Sequence, residues 1–345
     1  MAHRNFCRIG LSIVAATGLL GAGFVAPPER LAEPRFGLAA AEPAKPAAAR
    51  WREAQLRHEL RGHETAVEAL TFSPDSQVLI SGGTQNDATI RRWAVQSGRQ
   101  VSTTRAQAIS IRALALSADG NLLASSGGDT GIHVWQHGQY ERAIINHFHP
   151  ILALVISPDN RVLVSGGLDG LRVWDLAARR PLYTLARFET PTYTLALSAD
   201  GRTLASGGRQ GRIQIWDLRT GDRLATWQVE NLDKVTALAF APDGQTLLAG
   251  GDDRLIHLWH WPTGARLRSP LAGHTGEIRA LTVHPSGELF ASASNDGARL
   301  WELPSGELAN QLSSPDWVGS LAFSPDGRWL ALGRYDRHIA LWEAQ

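Results

Sequence analysis

Seven tryptophans recur at nearly equal steps along the chain. They stand at 93, 135, 174, 216, 259, 301 and 342, so the steps are 42, 39, 42, 43, 42 and 41 residues. A spacing this regular constrains the fold more than composition does, because each step has to hold one copy of the same small unit. The unit is easiest to read over Ser198–Leu218. Ser198-Ala199-Asp200-Gly201 has Asp and Gly where a β-turn needs a local hydrogen-bond acceptor and a positive φ. Arg202 to Ser206 suits a short strand, and Gly207-Gly208-Arg209-Gln210-Gly211 interrupts it. Arg212 to Leu218 then alternates, with Ile213 and Ile215 on one face and Gln214, Trp216 and Leu218 on the other.

The turn recurs in every unit, as Ser73-Pro74-Asp75-Ser76, Ser117-Ala118-Asp119-Gly120, Ser157-Pro158-Asp159-Asn160, Ala241-Pro242-Asp243-Gly244, His284-Pro285-Ser286-Gly287 and Ser324-Pro325-Asp326-Gly327. A period of about 40–45 residues with four short strands per unit is the pattern of propeller blades. One such sheet cannot bury both its faces, but sheets stacked around a ring cover one another, and an apolar content of 43% supplies the core. The Gly-Gly pairs at 82–83, 127–128, 166–167, 207–208 and 250–251 recur in register. They read as turn glycines, not as a phosphate-cradling loop.

With these residues in view, the chain resembles the WD-repeat family. Leu171-Arg172-Val173-Trp174-Asp175-Leu176 and Arg212-Ile213-Gln214-Ile215-Trp216-Asp217-Leu218 match its strand motif, and Gly62-His63 and Gly273-His274 match its repeat-opening motif. The resemblance implies an all-β fold over residues 51–345, a single seven-bladed β-propeller. It also implies a hydrogen-bonded Asp, His, Ser and Trp set inside a blade. By position, two blades carry all four members, namely His63, Ser81, Asp87 and Trp93, and His274, Ser292, Asp296 and Trp301. Asp129, Asp169, Asp253 and Asp336 keep the turn acid without a matching His, and Gln210 replaces it in the fourth unit. Those blades are expected to lean on apolar packing. The fold says little about activity, since one fold hosts many functions.

Only Glu343-Ala344-Gln345 follows the last tryptophan, so the seventh unit lacks an outer strand of its own. Glu53 to Leu60 precedes the first unit and belongs to no blade. The expectation is that this N-terminal segment pairs as the outer strand of the last blade and closes the ring.

Before the repeats, Arg4 and Arg8 are followed by an uncharged apolar run from Ile9 to Ala26. A basic start followed by an apolar stretch is the layout of a signal peptide or a membrane anchor, assigned to residues 1–26. Pro27, Pro28, Pro34, Pro43 and Pro46 make residues 27–50 a Pro/Ala-rich linker. Of 34 Lys and Arg residues, two lie in the first 26 positions, which hold no acid; the other 32 face 33 acidic residues. A near-neutral domain argues against nucleic-acid binding, which needs a basic surface. Cys7 is the single cysteine, which excludes intrachain disulfides and multi-cysteine metal sites.

Loops between the second and third strands, and between one unit and the next, meet on one rim of such a propeller. That rim is expected to gather Arg105, His147, Phe148, His149, Arg187, Phe188, Arg209, Arg254, Trp317, Arg334, Tyr335 and Arg337, the arginines and aromatics typical of binding hot spots. His147 and His149, two residues apart in an extended segment, face one side and can share a metal, though no third ligand is evident. No nucleophile elbow or haem motif is present, so the expectation is a non-enzyme without cofactors or metal. The reading is a monomeric protein-protein interaction scaffold, exported to the periplasm or cell envelope and touching a membrane only through its N-terminal segment. The alternatives are a subunit of a membrane-tethered envelope complex, and a cofactor-binding or hydrolytic propeller.

Overall fold

The computed structural model describes residues 45–145, 147–187, 191–303 and 305–345. The expected signal or anchor at 1–26 and linker residues 27–44 lie outside the described residues, as does Phe188. The rest forms seven four-stranded antiparallel sheets. Sheet one runs Val67–Phe72, Val78–Gly83, Thr89–Ala94 and Arg99–Arg105, from the inside outward. Sheets two to six repeat this order. The inner strand of each sheet packs on the inner strand of the next, and Val318–Phe323 of sheet seven packs on Val67–Phe72 of sheet one. The array is therefore an all-β, seven-bladed propeller.

Burial follows position within a sheet. The second strands, such as Thr203–Gly208 and Thr246–Gly251, are buried along their whole length because neighbouring sheets cover both faces. Their small residues allow that close approach. The outer strands alternate instead: Arg99–Arg105 exposes every residue except Ser102 and Thr104, which are partly covered. The core is accordingly a set of inter-sheet layers, one of which joins Leu79 and Trp93 of sheet one to Ala331, Ile339 and Leu341 of sheet seven.

The Ser-x-Asp-x turns line one rim, here called the lower. In sheet one, the Val78 N–H donates to Ser73 Oγ at 2.9 Å and the Gln77 N–H to Asp75 Oδ1 at 3.0 Å. The fourth turn residue takes a positive φ: Gly120 does so at +74°, and Ser76 and Asn160 do so at +60°. The two non-glycine residues are held there by links to the neighbouring turn. Asn160 Oδ1 accepts from the Ala118 N–H at 2.8 Å, and Ser76 Oγ accepts from the Asp326 N–H at 3.2 Å.

The outermost strand of sheet seven is Gln55–Arg61, which runs antiparallel to His338–Glu343. Immediately before it, where the Pro/Ala-rich linker was expected to end, stands the helix Ala47–Arg52. Burial of Trp51 accounts for the helix: its ring is fully buried among Leu289, Leu330 and Phe323, and its Nε1–H donates to Gly327 O at 3.2 Å. Asn310 Nδ2 adds a bond to Trp51 O at 3.0 Å. The helix thus sits under the lower rim, across sheets six and seven.

Candidate functional site at the mouth of the central channel

The polar sets inside the blades come first, because they decide which histidines and arginines are free to bind. In sheet one, the Trp93 Nε1–H donates to Ser81 Oγ at 2.8 Å, His63 Nε2 lies 2.7 Å from that hydroxyl, and His63 Nδ1 lies 2.6 Å from Asp87 Oδ2. An indole only donates, and with the serine O–H turned to Nε2 the ring donates Nδ1–H to the carboxylate. Every bond points the same way, an arrangement that strengthens each link. Burial pushes the Asp87 carboxyl up, but His63, Thr89 and the Glu64 N–H outweigh it and hold the group at about 2.

Sheet six repeats the set with His274, Asp296, Ser292 and Trp301. Sheet three holds a third set, contrary to the expectation that Asp169 lacks a histidine. His147 Nδ1 lies 2.6 Å from Asp169 Oδ1, its Nε2 2.7 Å from Ser165 Oγ, and Trp174 donates to Ser165 at 2.8 Å. Both ring nitrogens of His147 are thereby used, and the residue is buried while His149 is exposed. The pair does not share a metal, and His147 leaves the rim set. Among the described residues, no group of three or more His, Cys, Asp or Glu is arranged to hold a metal. Ser81, Ser165 and Ser292 are fully buried against indoles, so an acyl substrate has no path to these Ser-His-Asp sets.

The other acids also have partners. Asp129 pairs with His133 at 3.3 Å and Asp253 with His257 at 2.7 Å, both histidines lying on the third strand. Asp336 is held by Arg334 through Nε at 3.0 Å and Nη2 at 2.7 Å, and Arg334 Nη1 reaches Glu59 of the outer strand at 3.0 Å. Arg334 is 2% exposed. Its expected place on the rim is therefore corrected: a guanidinium spent on two carboxylates ties sheet seven together and cannot meet a partner.

The remaining rim residues divide. Tyr335 and Trp317 stand together, with ring centroids 5.7 Å apart, and Trp317 is 45% exposed. Arg337 lines an adjoining groove of about 330 Å³ with Tyr335, Glu64 and Gln85. Arg105 ends an outer strand, Arg209 and Arg254 are exposed beside the turns of sheets four and five, and Phe148 and His149 project from the loop before sheet three. These five do not join the Trp317 cluster. Arg187 closes the outer strand Arg180–Arg187.

Tyr335 also lines the channel, a cavity of about 400 Å³ bounded by the inner strands of all seven sheets. Its lining includes the second residue of six inner strands, Glu68, Arg112, Leu152, Tyr193, Thr236 and Gly319, and Arg279, which immediately precedes the inner strand Ala280–Val283 of sheet six. Arg279 lies 5.5 Å from the Trp317 ring and 5.3 Å from the Tyr335 ring, and donates to Tyr335 Oη at 2.9 Å. Tyr335 donates in turn to Glu68 Oε1 at 2.6 Å, and Arg112 Nη1 reaches Glu68 Oε2 at 3.3 Å. Burial and then the Glu68 charge push the Tyr335 hydroxyl far above its usual range, so it stays a donor. Gly319 is needed because a Cβ there would stand 2.8 Å from the Tyr335 ring.

Glu68, Arg112 and Arg279 were absent from the sequence-derived rim. Their signal was available: each stands five residues after the same repeat position, held by His63, Gln107 and His274. The mouth therefore offers an exposed indole backed by a guanidinium, inside a ring of both charge signs. That combination suits a protein surface, because aromatic area supplies affinity and charge supplies register.

Comparison with known proteins agrees with the repeat pattern. The family model for the WD domain, G-beta repeat, matches seven times, at residues 54–94, 98–136, 138–175, 179–217, 221–260, 265–302 and 306–343. Periodic tryptophan protein 2 of Arabidopsis thaliana is 27% identical over 218 residues, which is 50% of this chain and 24% of that protein. Apoptotic protease-activating factor 1 of Rattus norvegicus is 29% identical over 179 residues, 51% of this chain and 14% of that protein. Protein tipD of Dictyostelium discoideum is 24% identical over 290 residues, 82% of this chain and 40% of that protein. The chain thus spans less than half the length of each of these relatives.

Proposed function

The chain belongs to the WD-repeat family, and from that membership we propose that it is a non-enzymatic scaffold that captures a protein partner at the channel mouth. The observation that carries this reading is the Trp317, Arg279 and Tyr335 cluster, where a large indole is left 45% exposed on a rigid frame. A large aromatic set against a guanidinium is the composition of a binding hot spot. Arg337 and the groove beside it extend the surface toward sheet one. We further propose that residues 1–26 direct export and that the scaffold works in the cell envelope. This rests on the basic start and the uncharged run to Ala26.

The test is affinity purification of the native protein from envelope fractions, beside a Trp317→Ala variant. The variant should unfold within about 1 kcal/mol of the native protein, because the site is at the surface. Recovery of the stoichiometric partner should fall by roughly tenfold or more, as for a central aromatic anchor. Equal recovery with both proteins would move the binding surface elsewhere. Deletion of residues 2–26 should leave the protein in the cytoplasm; finding it still exported would refute the signal assignment.

A further inference from the structure

The residue before the motif tryptophan on each third strand is Arg92, Val134, Val173, Ile215, Leu258, Leu300 and Leu341 in turn. Six are aliphatic and between 0 and 2% exposed. Sheet one alone places a cation in this inter-sheet layer. Among the described residues, the Arg92 side chain has neither a hydrogen bond nor an ion pair, whereas Arg334 has two carboxylates and Arg172 and Arg299 each have one. Burial draws the Arg92 guanidinium below its usual range, and no acid offsets it. A partly desolvated charge without a counter-ion is costly, so an unmatched one marks a place where an anion would be welcome.

Arg92 lines a pocket of about 310 Å³ at the lower rim, between sheets one and two. Its walls are Ile80, Leu116, Leu123 and Trp135, and its lip carries His137 and Gly138. Gly138 adopts φ +80° and adjoins the guanidinium, since a Cβ there would make ordinary contact with Arg92 Nη2 at 3.6 Å. His137 is exposed on a turn at φ +48°, and among the described residues its ring has no hydrogen bond or ion pair. One cation at the wall, a second potential donor at the lip and an apolar interior describe a ligand with a carboxylate beside a bulky apolar group. The space fits about one residue. Within a peptide, an internal Glu joins its carboxylate to only two methylenes. A C-terminal residue alone carries a carboxylate and a large apolar side chain on the same carbon.

We infer that this lower-rim pocket binds the C-terminal apolar residue of a protein partner, with its α-carboxylate on Arg92 and its side chain between sheets one and two. The site lies on the rim opposite the channel mouth and does not depend on the binding surface proposed there.

The test uses the full chain with labelled Ile, Leu and Val methyls, titrated with four probes and followed by NMR. N-acetyl-leucine should shift the Ile80, Leu116 and Leu123 methyls saturably, while N-acetyl-leucinamide should bind at least about tenfold more weakly, the value of a charged hydrogen bond. N-acetyl-glutamate N-methylamide and hexanoate stand for an internal acid and a free apolar acid, and each should bind more weakly than N-acetyl-leucine. Arg92→Leu restores the aliphatic residue of the other six sheets and keeps the fold, and it should abolish the preference for acid over amide. The inference is overturned if the acid and amide bind alike, if Arg92→Leu keeps the preference, if no saturable shift occurs, or if the internal or free acid binds as tightly.

Discussion

At the scale of single residues, the fate of the motif indoles separates strong blades from weak ones. Trp93, Trp135, Trp174, Trp216 and Trp301 all donate to a serine on the second strand. Trp259 and Trp342 have no partner for Nε1, because Ala249 and Leu332 occupy the serine position. Each orphan N–H carries a desolvation cost of about 1–3 kcal/mol. The two cannot be repaired alike. Ala249→Ser adds one oxygen where five other sheets hold a buried serine, and the Trp259 ring is already fixed by its 5.3 Å stack on Trp227. We expect this change to raise unfolding free energy by about 1 kcal/mol in denaturant titration. Leu332→Ser should instead be a net loss, because removing a fully buried leucine costs about 2–5 kcal/mol and exceeds the bond gained.

At the scale of elements, six of the seven sheets solve one problem, the turn acid, with whatever base the repeat supplies. The histidine of the complete sets stands four residues before a fully buried aliphatic residue at or just ahead of the inner strand, as His63 before Val67, His147 before Ile151 and His274 before Ile278. The same position in sheet two is Gln107, whose amide atoms are buried without partners, as are Ser126 Oγ and Asp129 Oδ1. Gln107→His should let the ring reach Asp129 and Ser125 and raise stability by about 1–2 kcal/mol, read as a shift in the denaturant midpoint at unchanged slope. A fall in stability would show that His133 already meets the needs of Asp129. This also explains what was legible in the sequence. The tryptophans and Ser-x-Asp-x turns reveal the sheets because they are local and repeated. The third tetrad was hidden because its loop reads Asn146-His147 and not Gly-His, although the offset to the strand was intact. The burial of Arg334 was hidden for another reason: its partner Glu59 lies 275 residues away. Trp51 is the same case, since the turn at Gly327 that receives it is 276 residues on.

At the scale of the molecule, stability depends on polar groups buried in fixed protonation states and on one long-range pairing. Burial holds His147, His274 and His284 below their unfolded value of 6.5. Below that value the unfolded chain binds more protons, so this part of the stability is complete above it and declines as the pH falls through it. Asp87, Asp169 and Asp296 sit at about 2 against 3.8 unfolded, so their share, about 2 kcal/mol each, is lost between those two values. Melting temperature should therefore be level above neutrality, decline below 6.5 and fall more steeply below about 4; a profile flat down to pH 4 would refute the histidine part. The pairing is the more decisive test. Without residues 45–61, the backbone edge of His338–Glu343 loses its only outer neighbour, Arg334 loses Glu59, and the lower-rim socket loses Trp51. An uncovered edge strand recruits another chain, and losing a buried tryptophan alone costs about 3–5 kcal/mol. We expect the truncated protein to self-associate in light scattering and to unfold over a broad, less cooperative transition, and a monomer that melts like the full chain would show that the ring closes without its first strand.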